Sequence, residues 1–273
     1  MIKPAFQRVL LATEHTEFDV GAERVAIAMA KQAGLPLHVV FPLLSNPEYE
    51  AEMPDFALHA EQAAADKITH LRNLAEKQGV QIDVHVRRGS ERHREIVGEA
   101  ADLNADLIII RRRGKPGFFA RMLIGDMVSR VIHDASCNVL MVPRKAELWS
   151  KGVLVAVGDT PDAASITKTA ALIAQAGELP LTILSVAADQ DSLTKAQSFN
   201  TLYVALVPGS SVDVRGEVRI GHLVEQSSAA VKETGADLVV IGRQRYHLNP
   251  FGNQSPMHNI AGNMNVATLV VSI

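Results

Sequence analysis

Short apolar runs alternate with helical patterns along the chain, and the whole alternation occurs twice. The runs Val9-Leu10-Leu11-Ala12-Thr13-Glu14 and Val153-Leu154-Val155-Ala156-Val157-Gly158 each open one half. Their apolar character is continuous rather than every second residue, which predicts strands covered on both faces, as in a parallel sheet. A pattern with helical spacing follows each run. Val25, Ala26, Met29, Ala30 and Ala33 share one face in the first half, and Thr167, Ala170, Ala171, Ile173 and Ala174 do so in the second. Both patterns end on a glycine and then a proline: Gly34 with Pro36, and Gly177 with Pro180. The glycine suits a left-handed helix cap, and the proline prevents the helix from resuming.

The remaining elements repeat in the same order. Second strands are expected at 37–41 and 181–186. A helix with Ile68, Leu71, Leu74 and Ala75 on one face precedes the third strand of the first half; its counterpart in the second half is shorter and poorly patterned. Third strands fall at 82–87 and 214–219, closed by Gly89 and Gly221. The next helices carry Ile96, Val97, Ala100 and Leu103, and Leu223, Ala229, Ala230 and Val231. The fourth strands match most closely: Ala105-Asp106-Leu107-Ile108-Ile109-Ile110 against Ala236-Asp237-Leu238-Val239-Val240-Ile241. Fifth strands close each half at 139–142 and 268–271. The fold class is therefore α/β: two tandem doubly wound parallel-sheet domains of five strands each, at 1–147 and 150–273. The polar stretch 143–151 is the connector. A single sheet of 273 residues is the competing reading, and the repeat argues against it.

Composition narrows the class without naming a function. The hydrophobic fraction of 47% and charged fraction of 21% suit a globular chain, and a net charge of -3 gives no excess of cations for nucleic acid or a membrane surface. Aromatic residues make up 4% of the chain, too few for a base-stacking platform. The single cysteine, Cys137, excludes an intrachain disulfide and favours a reducing compartment. Residues 1–11 lack the pattern of a signal peptide, and no apolar stretch reaches membrane-spanning length, so a cytoplasmic location is expected. The ten histidines show no pair at metal spacing with a third ligand nearby, and no metal is expected. Cys137 precedes a buried strand and reads as an inert thiol, and no catalytic constellation emerges.

Several stretches in order carry a resemblance. They are Ala12-Thr13-Glu14 after the first strand, Val86 to Gly89 and Val218 to Gly221, the two Ala-Asp-Leu strands, and His133-Asp134-Ala135-Ser136-Cys137-Asn138-Val139-Leu140-Met141-Val142. Together, and twice over, they resemble the universal stress protein family, whose fold is of the adenine nucleotide alpha hydrolase type. The resemblance implies a stress-response protein that binds ATP, or another adenine nucleotide, at the carboxyl ends of its strands. An Asp after the first strand would hold the adenosine end. A Gly-x-x-Gly, nine residues and then Gly-Ser or Gly-Thr would hold the phosphates, with glycines admitting the backbone and helix N–H groups donating. The family also dimerises through its fifth strands. A tandem chain could make that contact internally, 139–142 beside 268–271, as an intrachain pseudo-dimer, and a homodimer of tandem chains is a further expected assembly.

Mapped onto this chain, the site is degraded. In the first half it comprises Ala12, Thr13 and Glu14, with Glu14 at the Asp position, then Arg111, Arg113, Gly114, Lys115, Gly117, Gly125 and Asp126. Arg111 replaces the first glycine and Asp126 the hydroxyl residue, which sets a carboxylate against a phosphate oxygen. In the second half it comprises Gly158, Asp159, Gly242, Arg245 and Ser255, with the order at 158–159 inverted and Arg245 replacing the second glycine. Arg87, Arg88, Arg92, Arg94 and Arg111 to Arg113 gather after the third and fourth strands. They read either as an anion pocket or as a solvated rim paired with Glu91 and Glu95. The functional expectation is a regulatory stress-response protein with a degenerate ATP-like site, not a dedicated enzyme. The alternatives are a slow ATP hydrolase and a ligand-free protein-interaction scaffold.

Overall fold

A computed structural model describes residues 5–45, 50, 52, 54–112, 126–207, 212–243 and 265–272. These residues divide into two compact units, the first ending at Leu148 and the second beginning at Trp149. The first unit runs β1 (Val9–Ala12), α1 (Val20–Ala33), β2 (Leu37–Leu44), α2 (Pro54–Lys77), β3 (Ile82–Gly89), α3 (Arg92–Asp102), β4 (Leu107–Arg111), α4 (Asp126–Asp134) and β5 (Asn138–Val142). Its strands are parallel in the order β3-β2-β1-β4-β5. The second unit runs β6 (Val153–Ala156), α5 (Ala163–Ala176), β7 (Leu181–Ala187), α6 (Leu193–Ala205), β8 (Val214–Ile220), α7 (Leu223–Thr234), β9 (Leu238–Gly242) and β10 (Ala267–Val271). Its order is β8-β7-β6-β9-β10, again parallel. In each unit the order reverses beside the first strand, so a crevice opens at the carboxyl ends of the first and fourth strands.

The continuous apolar runs are covered on both faces, as expected. Leu10, Leu11, Ile108 and Ile109 are inaccessible in the first unit, and Leu154, Val155, Val239 and Val240 in the second. The recurring aspartate of the fourth strands has a structural cause. The Asp106 carboxylate accepts the backbone N–H groups of Gln7 and Arg8 at 2.7 and 3.1 Å. The Asp237 carboxylate likewise accepts those of Ser150, Lys151 and Gly152. Each aspartate thus anchors the chain entering the first strand of its unit, in a register that β-pairing alone leaves open at the strand end.

Two expectations are corrected. Gly34 caps α1 in the left-handed conformation, with φ 64°, but Gly177 after α5 has φ -97°. There the left-handed residue is Glu178, at φ 53°, and the Leu179 side chain packs over Gly177. Leu74 is exposed; the buried stripe of α2 is Ala64, Ile68, Leu71 and Ala75, one helical step away. The unclear segment of the second unit is a full helix, α6, whose buried side chains are Asn200 and Tyr203. It escapes an apolar pattern because what it buries is polar. The Asn200 amide donates to Ile183 O, Ser185 Oγ and Glu217 O, at 2.8, 3.2 and 3.1 Å. Gly216 stands beneath it because a Cβ there would meet Asn200 Oδ1 at 2.1 Å.

Candidate ligand site of the first unit

The chain leaves β1 at Ala12 and enters α1 at Val20, and this turn carries most of the site. Thr13 is buried; its hydroxyl donates to Glu23 Oε1 at 2.6 Å and accepts the His15 N–H at 2.8 Å. His15 itself is held at φ 48°, in the left-handed region that few side chains adopt. Asp19, at the N-cap of α1, does not cap its own helix. Its carboxylate turns back to accept the Thr16 N–H at 2.9 Å and hydroxyl at 2.6 Å.

Arg111 closes the arrangement from the end of β4. Its guanidinium donates to Thr16 Oγ1 at 2.8 Å, to Asp19 Oδ2 at 3.0 Å and to Glu14 Oε2 at 3.1 Å. The side chains of Arg111 and Asp19 are 9% and 2% exposed, so this is a buried ion pair with hydrogen bonds on both members. Glu14 is engaged further: Arg92 Nε forms an ion pair with Glu14 Oε1 without hydrogen-bond alignment, and Lys67 Nζ donates to Glu14 O at 3.3 Å. Ala12, Pro42, Ile96, Ile110 and Met127 complete the wall of a concavity beside these charges. Its open volume is about 10 Å³, room for roughly one water.

The structure therefore brings together Ala12, Thr13, Glu14 and Arg111, but as an ion-paired seat with the carboxylate already satisfied. Arg113, Gly114, Lys115, Gly117, Gly125, Arg245 and Ser255 lie outside the described residues, as does the side chain of Asp126. Asp19, Glu23 and Thr16 were absent from the sequence-based site. Their signal was nevertheless there: a carboxylate, Glu23, stands on the inner face of α1 among Ala22, Val25 and Ala26.

Of the two readings of the arginine cluster, the described residues match the paired rim. Arg87 pairs with Glu95, Glu99 and Asp102, Arg88 with Glu61, Arg94 with Glu91, and Arg92 and Arg111 with Glu14. These five form a paired rim, with acids supplied by α2, α3, Glu91 just before α3 and Glu14 in the β1–α1 turn; they are not an open anion pocket. Burial pushes Arg112 below the usual arginine range. Beside this rim, His85 bridges Glu99 through Nδ1 and Asp83 through Nε2.

At the equivalent place in the second unit the chemistry differs. Gly242 ends β9 where Arg111 ends β4, and a Cβ there would lie 2.3 Å from Ile166 Cδ1 of α5. Asp159 points to α6, pairing with Lys195 at 2.6 Å. The Gly158 carbonyl accepts the Tyr203 hydroxyl at 3.1 Å. Burial, helped by the nearby Asp159 charge, raises the Tyr203 pKa. An apolar side chain thus fills the end of the fourth strand, β9. Among the described residues, no group of three or more His, Cys, Asp or Glu side chains forms a metal cage, and no helix is long and apolar enough to cross a membrane.

A parallel sheet whose order reverses beside its first strand, with polar groups gathered at that carboxyl end, defines an α/β protein of the doubly wound class. Residues 5–143 match the model of the universal stress protein family, and the chain belongs to that family. A universal stress protein of Methanocaldococcus jannaschii is 26% identical over 144 residues, 51% of this chain and 83% of that protein. Among solved structures, a universal stress protein from Archaeoglobus fulgidus superposes with a TM-score of 0.78 at 18% identity, covering 97% of this chain and 98% of that one. A Pseudomonas aeruginosa protein described as functionally unknown superposes with a TM-score of 0.71 at 16% identity, covering 98% and 92%. The likeness of fold thus extends over nearly the whole chain.

Proposed function

We propose that the chain is a regulatory stress-response protein rather than a dedicated enzyme, and that its first unit keeps a reduced adenine-nucleotide site which its own arginines close. The observation that carries this reading is the double engagement of Glu14 by Arg92 and Arg111. A ribose or adenine that used the Glu14 carboxylate would have to displace at least one guanidinium. Binding then costs the rupture of an ion pair, so affinity is low and tied to movement of α3, which carries Arg92. Arg113, Gly114, Lys115, Gly117, Gly125 and Asp126 are the proposed phosphate segment, and 1–147 and 150–273 the proposed domains. For the second unit a ligand-free scaffold is the favoured reading, because Ile166 packs against Gly242.

The test is calorimetric titration with ATP, ADP and AMP in the presence of Mg²⁺, on protein freed of bound ligand. Weak heat that Glu14→Ala abolishes and Arg92→Ala strengthens is the expected result. Absence of heat with every nucleotide sinks the nucleotide reading and leaves the scaffold. Steady phosphate release from ATP, lost with Glu14→Ala, would instead favour the slow hydrolase.

A further inference from the structure

Independently of any nucleotide, two imidazoles converge at the mouth of the first unit. His15 Nε2 and His70 Nδ1 stand 2.6 Å apart, with ring centroids at 4.9 Å and planes inclined by 58°, so the rings meet nitrogen to nitrogen rather than face to face. Behind His15, Nδ1 lies 2.9 Å from Glu23 Oε1. A carboxylate accepts, so His15 carries its proton on Nδ1 and its lone pair on Nε2, facing His70. Glu23 is buried at 4% exposure, and the same oxygen, Oε1, also accepts the Thr13 hydroxyl. The His15 ring is thus oriented before any ligand arrives, and the left-handed backbone of His15 contributes to that placement. His70 sits on the exposed surface of α2, a helix of 24 residues.

We propose that His15 and His70 form a binding site for a late first-row divalent metal ion, Zn²⁺ being the probe of choice. Three features support it. Imidazole nitrogens suit Zn²⁺, Ni²⁺ and Cu²⁺. A buried carboxylate behind the ligating histidine fixes its tautomer and raises its basicity, as metal-binding histidines generally require. The Glu23 charge also offsets that of the cation, against the opposing Lys67 ammonium, which is held on Glu14 O. With metal absent, the His70 Nδ1 proton fills the gap between the rings. With metal bound, that proton moves to the solvent-facing Nε2 and the nitrogens separate to about 3.3 Å, the spacing two ligands need around a tetrahedral ion at about 2.0 Å. Water completes the coordination, which makes the site open and exchangeable rather than a closed structural cage.

The experiment is equilibrium dialysis and calorimetry with Zn²⁺ on the untagged full chain after chelator treatment, comparing parent, His70→Ala and Glu23→Gln. His70→Ala alters an exposed helix position and keeps the fold, which far-ultraviolet circular dichroism verifies. It is expected to bind one equivalent fewer. Glu23→Gln is expected to retain that equivalent with affinity 10–100-fold lower. Co²⁺ should give visible absorption bands in the parent that are missing in His70→Ala. Equal Zn²⁺ binding by parent and His70→Ala overturns the site, and unaltered affinity in Glu23→Gln overturns the arrangement behind it.

Discussion

Arg111, at the end of β4, meets Asp19, at the start of α1, at 3.0 Å, and both are almost wholly removed from solvent. Neither charge is tolerable there alone. Their pairing, shared with Thr16 and Glu14, turns the expected phosphate end of a nucleotide site into an internal ion pair.

Removing one partner leaves the other charged and buried. Asp19→Ala is expected to destabilise the first unit by about 3 kcal/mol, at the low end for a broken buried pair because Glu14 still faces Arg111. Urea unfolding should show a lower midpoint with unchanged slope. A loss below about 0.5 kcal/mol, the range of ordinary surface substitutions, would mean that the pair is solvated.

Gly21 lies where α1 crosses the chain leaving β5. A Cβ there would sit 2.1 Å from Pro143 O and 2.8 Å from Arg144 O, backbone atoms that cannot rotate away. Gly21→Ala should cost about 1–3 kcal/mol by overpacking, despite the better helix propensity of alanine. Thermal unfolding of the variant decides it, and a rise in Tm would contradict the close approach.

Asn200 makes its three bonds as a donor. Asn200→Asp replaces that donor with an acceptor facing two carbonyl oxygens, so it should destabilise more than Asn200→Ala, which itself should cost about 1–3 kcal/mol. Denaturant midpoints of the two variants give the order. Equal losses would show that the amide serves only to fill space.

His85 titrates above its ordinary 6.5: burial opposes its charge, but hydrogen bonds and charges from Asp83 and Glu99 outweigh that burial. His38, Arg87, Glu95 and Asp102 surround the same cluster. Because the folded value is raised, the contribution to stability is complete below pH 6.5 and fades as pH climbs through the folded value. Urea midpoints measured across that window should fall with rising pH in the parent and fall less in His85→Gln. Parallel profiles would remove His85 as the cause.

The fold was legible in the chain because parallel strands write their burial as unbroken apolar runs, and duplication wrote each run twice. The aspartates at 106 and 237 were visible as a repeat before their anchoring role was. What stayed hidden was side-chain pairing across elements. Nothing in the spacing of Arg111 and Asp19, or of His15 and His70, announces that β4 and α2 bring them to the same turn. Helix α6 stayed hidden for a related reason, since its inward side is Asn200 and Tyr203 rather than an aliphatic stripe. Gly177 shows a limit of local rules: the glycine was present, but the chain made its left-handed step at Glu178, where Leu179 could then pack.

The exchange of Arg111 and Glu23 in one unit for Gly242 and Ile166 in the other has a bearing on how the chain meets its surroundings. Arg111 and Glu23 are both buried, so dissolved ions screen them only weakly, whereas heat lowers the cost of drying them. A methyl group pressed against a glycine gives salt nothing to screen. The chain therefore carries two copies of one scaffold, of which one keeps dry charges at its strand ends and the other an aliphatic contact.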